Sequence, residues 1–413
     1  MKFKFVGLLL LSTFTYSFAQ NSSTYSRLGI GDLVYSYSGR SLGLGESGVA
    51  NSDDNSIGII NPAGWNALNS TRMELGGTYN GLFISNSSQK KYYSETEFTG
   101  FTFGFPISRK YGISAALGIV PYSNVSYKTE ADNSVETGVL NSTIAYEGTG
   151  GLSKMFIGSS YTLPFGMSIG ATLDYYFGNL KYSTLIDIDG TGTYQTKFLR
   201  DYRPNGLGTT VGLISPDFSK LINSKGINNI RLGISANIIS NLSTDTLLTY
   251  SSPVINDTLG RSTVNMDIPT RITTGLSFVF NKNYRVSLDY AFQPFSDFTF
   301  NGMKYSTLRN ITRINSGIEY RPNINLGATF WEQIIWRAGL SYEQTQYKVN
   351  GTGINQFSIS GGLSLPLGIG NSLDLALEYS TRGTTNSNLM KENIFKLGVG
   401  ISFGQIWFIR QEK

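Results

Sequence analysis

The run Gly43-Leu44-Gly45-Glu46-Ser47-Gly48 has the G-x-G-x-x-G spacing with which a dinucleotide-binding turn cradles a pyrophosphate. That chemistry needs an apolar strand before the turn and a helix after it. Here VYSYSGRS precedes and VANSDD follows, with no βαβ pattern, so the spacing does not make a nucleotide site. DIDGTG (187–192) has the opening of a calcium loop but lacks the third ligand and the closing glutamate, and reads instead as an Asp-Gly hairpin tip. The chain has no histidine and no cysteine. This removes the Ser-His-Asp triad, the usual general base, the commonest metal ligand, thiolate chemistry and disulfides. No acid pair stands apart as a catalytic dyad. The residues give no enzyme and call for no cofactor and no metal.

Two apolar clusters remain. In NSIGIINPAGWN (55–66), Asn61 can cap a short helix with Pro62 at its first position and Ala63 following. Ile57, Ile60 and Trp65 would then present an apolar surface that binds an apolar ligand or closes a hole. In AFQPFSDFTFNGMKY (291–305), Phe295, Phe298, Phe300 and Met303 crowd a single stretch. They read either as packing within extended strands or as an apolar patch that first catches a greasy ligand.

The elements that must position these clusters are strands. In IFKLGVGISF, Phe395, Leu397, Val399, Ile401 and Phe403 share one face, and Lys396, Gly398, Gly400 and Ser402 the other. FSISGGLSLPL and SLDLALEY alternate likewise, at a period no helix has. Fourteen such segments are expected near 72–84, 97–107, 111–121, 151–163, 167–178, 206–215, 229–239, 268–280, 284–293, 311–320, 334–345, 355–367, 372–380 and 393–403. Connections on one side are short: SRK, PFG, NKN, GIGN and two medium segments, 216–228 and 321–333. Those on the other are mostly long: 122–150, 179–205, 240–267 and 294–310. Sorting of loops by length, with an even strand count, is the mark of an outer-membrane barrel, periplasmic turns short and external loops long. A soluble sandwich also alternates but has no reason to sort its loops.

Tyrosine closes the apolar face in LDY (173–175, 288–290), IEY (318–320), LSY (340–342) and LEY (377–379), as a membrane-interface girdle would require. The opposite face, with Arg72, Glu74, Asp174, Arg231, Arg271, Arg285, Asp289, Arg313, Glu319, Arg337, Glu343, Asp374, Glu378 and Lys396, is expected to line the lumen as a salt-bridge lattice.

MKFKFVGLLLLSTFTYSFAQ reads as a cleaved export signal ending at residue 19, too short to span a bilayer as a helix. The organisation expected is therefore a signal (1–19), a lumenal hatch (20–70) starting on the periplasmic side, and an all-β transmembrane antiparallel barrel (71–413). The location is the outer membrane of a Gram-negative bacterium. With 33 basic against 28 acidic residues, the net charge of +5 gives no footprint for nucleic acid. Outer-membrane lipid is the expected surrounding of a barrel that stands as a monomer.

The run SLGLGESGVANSDDNSIGIINPAGWNAL resembles the N-terminal hatch of the FadL/TodX family of outer-membrane transporters for hydrophobic compounds. Gly43, Gly45, Gly48, Ala50, Asp54, Asn61, Pro62 and Ala63 carry the match. The resemblance implies passive uptake of hydrophobic small molecules such as long-chain fatty acids or aromatic hydrocarbons. Capture would occur at the external Phe-rich loop, followed by a pocket against the hatch and sideways release past a kinked third strand, where Gly112, Gly118 and Pro121 stand. The end GQIWFIRQEK departs from the family's terminal aromatic residue. Some relatives serve secretion machinery instead, so an accessory or plugging barrel of a type IX protein secretion translocon is the alternative. The charged lumen favours that alternative; the Phe-rich loop favours uptake.

Overall fold

The computed structural model describes residues 23–86, 90–133, 142–187, 195–219, 226–322, 328–368, 370–386 and 389–405. The expected signal, most of DIDGTG and the last eight residues lie outside them. The strands are β1 (Thr71–Ser85), β2 (Lys90–Ser108), β3 (Ile113–Asn133), β4 (Ser142–Thr162), β5 (Ser168–Asp187) and β6 (Gln195–Ile214). Next come β7, in two pieces (Ile227–Ile239 and Leu242–Ser251), and β8, in two pieces (Asn256–Asp267 and Arg271–Phe280). β9 (Tyr284–Gln293), β10 (Ile311–Tyr320), β11 (Ile335–Val349), β12 (Thr352–Pro366), β13 (Ser372–Gly383) and β14 (Lys391–Gln405) complete the wall. Each pairs antiparallel with its neighbour, and β14 closes on β1 from Lys391↔Ser85 to Gln405↔Thr71. The fold is a closed fourteen-stranded antiparallel barrel.

All fourteen expected segments are strands, and their periplasmic ends fall within two residues of expectation. The external ends of β1, β9, β10 and β14 do as well, but the others overshoot. β3 runs on to Asn133, β7 to Ser251, and β8 begins at Asn256, each twelve residues beyond the alternating core of the strand. Above the bilayer no lipid selects one apolar face, so NDTLGRSTVN in β8 shows no alternation although it pairs with β7 on both sides of a bulge at Leu259. Within the bilayer, Leu173, Ile157, Ile359, Leu377 and Val399 point outward and are exposed.

The tyrosine motif serves two girdles. Tyr175, Tyr290, Tyr342 and Tyr379 stand exposed on strands rising from the periplasm. Tyr320 instead ends the descending β10 and packs on Tyr284 at the periplasmic rim, ring centroids 5.0 Å apart.

Residues 23–70 occupy the lumen. The chain's first described residues lie at the external end rather than the periplasmic one. The Ser23 hydroxyl donates to Glu392 at 2.9 Å and the Tyr25 hydroxyl to the Met390 carbonyl at 2.5 Å. From there the hatch descends, making a two-residue bridge (Asp32–Leu33), a short helix α1 (Gly39–Gly43) and a 3-10 turn (Pro62–Ala67) before entering β1.

Candidate functional site: a hatch seated in the lumen

From Tyr37 to Ala63 the hatch follows the circumference of the wall, and wall glycines mark its path. A Cβ at Gly76 in β1 would run into the Tyr37 carbonyl, one at Gly362 in β12 would meet the Gly43 Cα at 3.1 Å, and one at Gly233 in β7 the Ala50 Cα at 2.6 Å. At Gly212 in β6 it would strike Asn61 Oδ1. These lumen-facing positions lack side chains so that the hatch backbone can lie directly on the sheet.

Charge fixes the lower half. Asp53 of the hatch accepts from Arg285 Nη1 at 2.9 Å and also from Arg40 and Arg321. Glu319 joins the cluster, taking Arg40 at 3.1 Å and Arg337 Nε at 2.8 Å, and Arg337 reaches on to Asp374 at 3.1 Å. Burial alone would raise the Asp53 pKa, but the guanidinium groups of Arg321, Arg40 and Arg285 outweigh it and hold the carboxyl well below its usual range. Higher up, Glu46 pairs with Arg313, and Asp289 Oδ2 accepts the hatch N–H groups of Gly48 (2.6 Å) and Val49 (2.9 Å). The G-x-G-x-x-G segment thus spends its backbone donors on the wall. The lumen-face charges expected from sequence all join hatch to wall or wall to wall. Arg72, Glu74 and Arg231 do so through hydrogen bonds to the hatch, Arg271 over the Tyr35 ring, and the rest in ion pairs or, for Asp289, through hatch N–H groups.

The expected hatch residues come together. Asn61 caps the 3-10 turn by accepting from Ala63 N at 3.0 Å, and its Nδ2 donates to the Val49 carbonyl (2.7 Å) and to the wall carbonyl of Leu213 (3.1 Å). Pro62 and Ala63 are buried, with Ala63 against β5. Ile57 and Trp65 are fully buried with Tyr37, Leu68, Ala116, Val120 and Phe156. Trp65 stacks on Phe156 at 6.0 Å and donates from Nε1 to the Gly58 carbonyl at 2.7 Å. Ile60 is half-buried beside a cavity of about 40 Å³ that it shares with Lys154, Arg271 and Asn237.

The external residues divide. Phe295 and Phe298 stack with centroids 5.4 Å apart and are buried in a cluster with the hatch's Ile30 and with Tyr122, Leu152 and Tyr176. Phe300 is half-buried against Tyr202, and Met303 is 60% exposed. Half of this set therefore caps the hatch from above. A lumenal cavity of about 130 Å³ beside the hatch mixes charged lining (Glu46, Arg313, Glu343) with apolar (Leu33, Leu42, Ile394). Sequence reasoning missed Asp53 as the centre of the ionic latch and the glycine belt as its track. The acids before the hatch motif and the glycines at lumen-facing register positions were the available signals.

The third strand parts from the second. β2 and β3 pair only from Phe101↔Ile119 down to Ser108↔Ile113. Above that point the ladder between them stops, and β3 shifts register against β4 at Pro121. The hatch residues Asp32 and Leu33 pair instead with Asn124 and Ser123 on the freed edge of β3. The cleft left outside, about 410 Å³, is lined by Glu95, Glu97, Phe98 and Asn124, among others.

A closed fourteen-stranded barrel with its N-terminal segment seated in the lumen defines the FadL-like class of outer-membrane β-barrels. Within that class the chain belongs to the BamG family, whose model matches residues 1–413. In fold it is similar to a Pseudomonas aeruginosa FadL homologue (14% identity, 90% of this chain and 99% of that one, TM-score 0.62). It is likewise similar to the Ralstonia pickettii toluene transporter TbuX (17% identity, 90% and 98%, TM-score 0.59) and the P. putida toluene transporter TodX (14%, 90% and 98%, TM-score 0.59). No curated protein matches the sequence.

Proposed function

We propose that this protein is a plugged accessory barrel of the outer membrane, working beside the β-barrel assembly (BAM) machinery that its family's name points to. The observation that carries the proposal is the seating of the hatch. Its backbone lies on wall glycines, its charges are matched by the wall, and an apolar cluster caps it. The cavities of about 130 and 40 Å³ beside it are small and carry Glu46 and Arg313 in their lining, whereas sites for apolar ligands are larger and hold few charged groups. Such a barrel offers its partners a rigid wall and external surface, with the pore closed. The type IX translocon, the other machine open to an accessory barrel, has no support of its own beyond the closed lumen.

A second reading, passage of hydrophobic compounds, is favoured by the parted β2 and β3. The proteins of similar fold include toluene transporters. In this reading Ile57, Ile60, Asn61, Pro62, Ala63 and Trp65 form the floor of a pocket that opens when the hatch shifts, fed from Phe295, Phe298, Phe300 and Met303.

Purification from native membranes in mild detergent separates the two. Stoichiometric recovery of assembly-machinery subunits with no apolar small molecule supports the accessory role. A lone barrel carrying an extractable hydrocarbon or fatty acid supports passage.

A further inference from the structure

The outward face of the barrel carries a patch that neither hatch nor lumen explains. Lys90 of β2 pairs with Ser85 of β1, and Ser85 pairs with Lys391 of β14. A Lys-Ser-Lys row thus crosses three neighbouring strands at their external ends. With strands about 4.8 Å apart, the two lysine stems stand about 10 Å from one another with the hydroxyl between them. Both lysines are exposed, and neither has a carboxylate partner among the described residues. Lys128 and Lys304 do have carboxylate partners, Glu147 at 3.0 Å and Asp297 at 2.7 Å. Lys90 and Lys391 differ from other exposed lysines such as Lys110 and Lys197 in flanking one hydroxyl on neighbouring strands.

Below the row lies an aromatic shelf. Phe83 and Tyr92 pack at 4.7 Å, the Tyr92 and Tyr79 hydroxyls are 2.8 Å apart, and Tyr379 pairs with Phe395 on the adjoining strands. At its centre Gly81, flanked by Phe395 and Ser94, makes room for the Tyr92 ring, whose Oη lies 2.9 Å from where a Cβ would stand.

At the bilayer surface such an ammonium pair attracts anions, and the outer leaflet supplies phosphate monoesters on glycolipids. Lysine binds phosphate as a point charge, and amphipathic rings sit at headgroup level. We propose that this patch binds a phosphorylated glycolipid of the outer leaflet. The phosphate lies between Lys90 and Lys391 and accepts from the Ser85 hydroxyl, which turns to it from the Lys391 carbonyl it otherwise meets at 3.3 Å. The sugar rests on the Phe83–Tyr92 shelf, and an acyl chain descends past the exposed Tyr79 and Phe395.

The test uses the full mature protein reconstituted with bis-phosphorylated lipid A or with its dephosphorylated counterpart, bound lipid being counted by native mass spectrometry. Wild type is expected to retain the phosphorylated form at least about tenfold better, roughly what two charge-assisted contacts supply. Lys90→Ala/Lys391→Ala is expected to lose that preference while still migrating as a heat-modifiable barrel. Lys90→Arg/Lys391→Arg is expected to keep it. Equal retention by wild type and the alanine variant overturns the proposal. So does displacement of the lipid by millimolar inorganic phosphate, which would make the row a site for free phosphate.

Discussion

Replacing Asp53 by asparagine removes the one hatch charge that faces three guanidinium groups and leaves its shape nearly intact. Breaking a buried ion pair from one side costs about 3–5 kcal/mol, because the partners stay buried without their counter-charge. Two features place this case at the lower end. The Arg321 side chain is 25% exposed, and Glu319 still pairs with Arg40, Arg321 and Arg337. About 3 kcal/mol corresponds to a hatch that detaches on the order of 100-fold more often. The protein has no cysteine, so a single Ile57→Cys, buried four residues beyond Asp53, reports detachment by its rate of thiol labelling. Labelling is expected to rise about 100-fold from Ile57→Cys to Asp53→Asn/Ile57→Cys, and high salt should narrow the gap only slightly, because the pairs are largely shielded. A rise of less than about threefold, in a barrel that still migrates as folded, would refute the claim that charge holds the lower hatch.

Gly212→Ala is expected to destabilise the folded barrel and speed Ile57→Cys labelling, since its Cβ would occupy the place of Asn61 Oδ1. Gly361→Ala, whose Cβ would meet nothing nearer than 3.8 Å, should change neither thermal midpoint nor labelling. Trp65→Ala should lower stability by about 3–5 kcal/mol in denaturant titration, the cost of deleting a fully buried large aromatic. The depressed Asp53 pKa means that the latch contributes fully above the carboxylate's unfolded value near 3.9 and is lost only as pH falls through the lower folded value. Hydrogen exchange of the Asn55 amide, which donates to Asp53 at 2.9 Å, corrected for its intrinsic rate, should therefore not speed up as pH falls from 8 to about 5. Exchange at Asn55 that is already faster at about pH 6 than at about pH 8 would contradict the assignment.

What the sequence made legible follows the physics that writes patterns into it. Lipid on one side and lumen on the other enforce alternation, so Phe395 to Phe403 and Leu373 to Tyr379 were readable as wall. Above the bilayer that selection ends, and the long external pieces of β3, β7 and β8 passed for loops. The hatch motif was visible because Asn61 and Pro62 are local helix-start chemistry. The role of Asp53 was not, because its partners Arg285 and Arg321 lie more than 230 residues away in the chain. The Phe-rich stretch shows a similar limit. Composition marks Phe295 and Phe298 as apolar, yet only the fold decides that they turn inward onto Ile30 while Met303 faces out.

The central claim is a closed lumen. Conductance of the purified full-length barrel in planar bilayers tests it most directly. Wild type is expected to show no steady channel, and deletion of residues 23–66 from a barrel that still folds should open one. A stable open conductance in wild type would contradict the account.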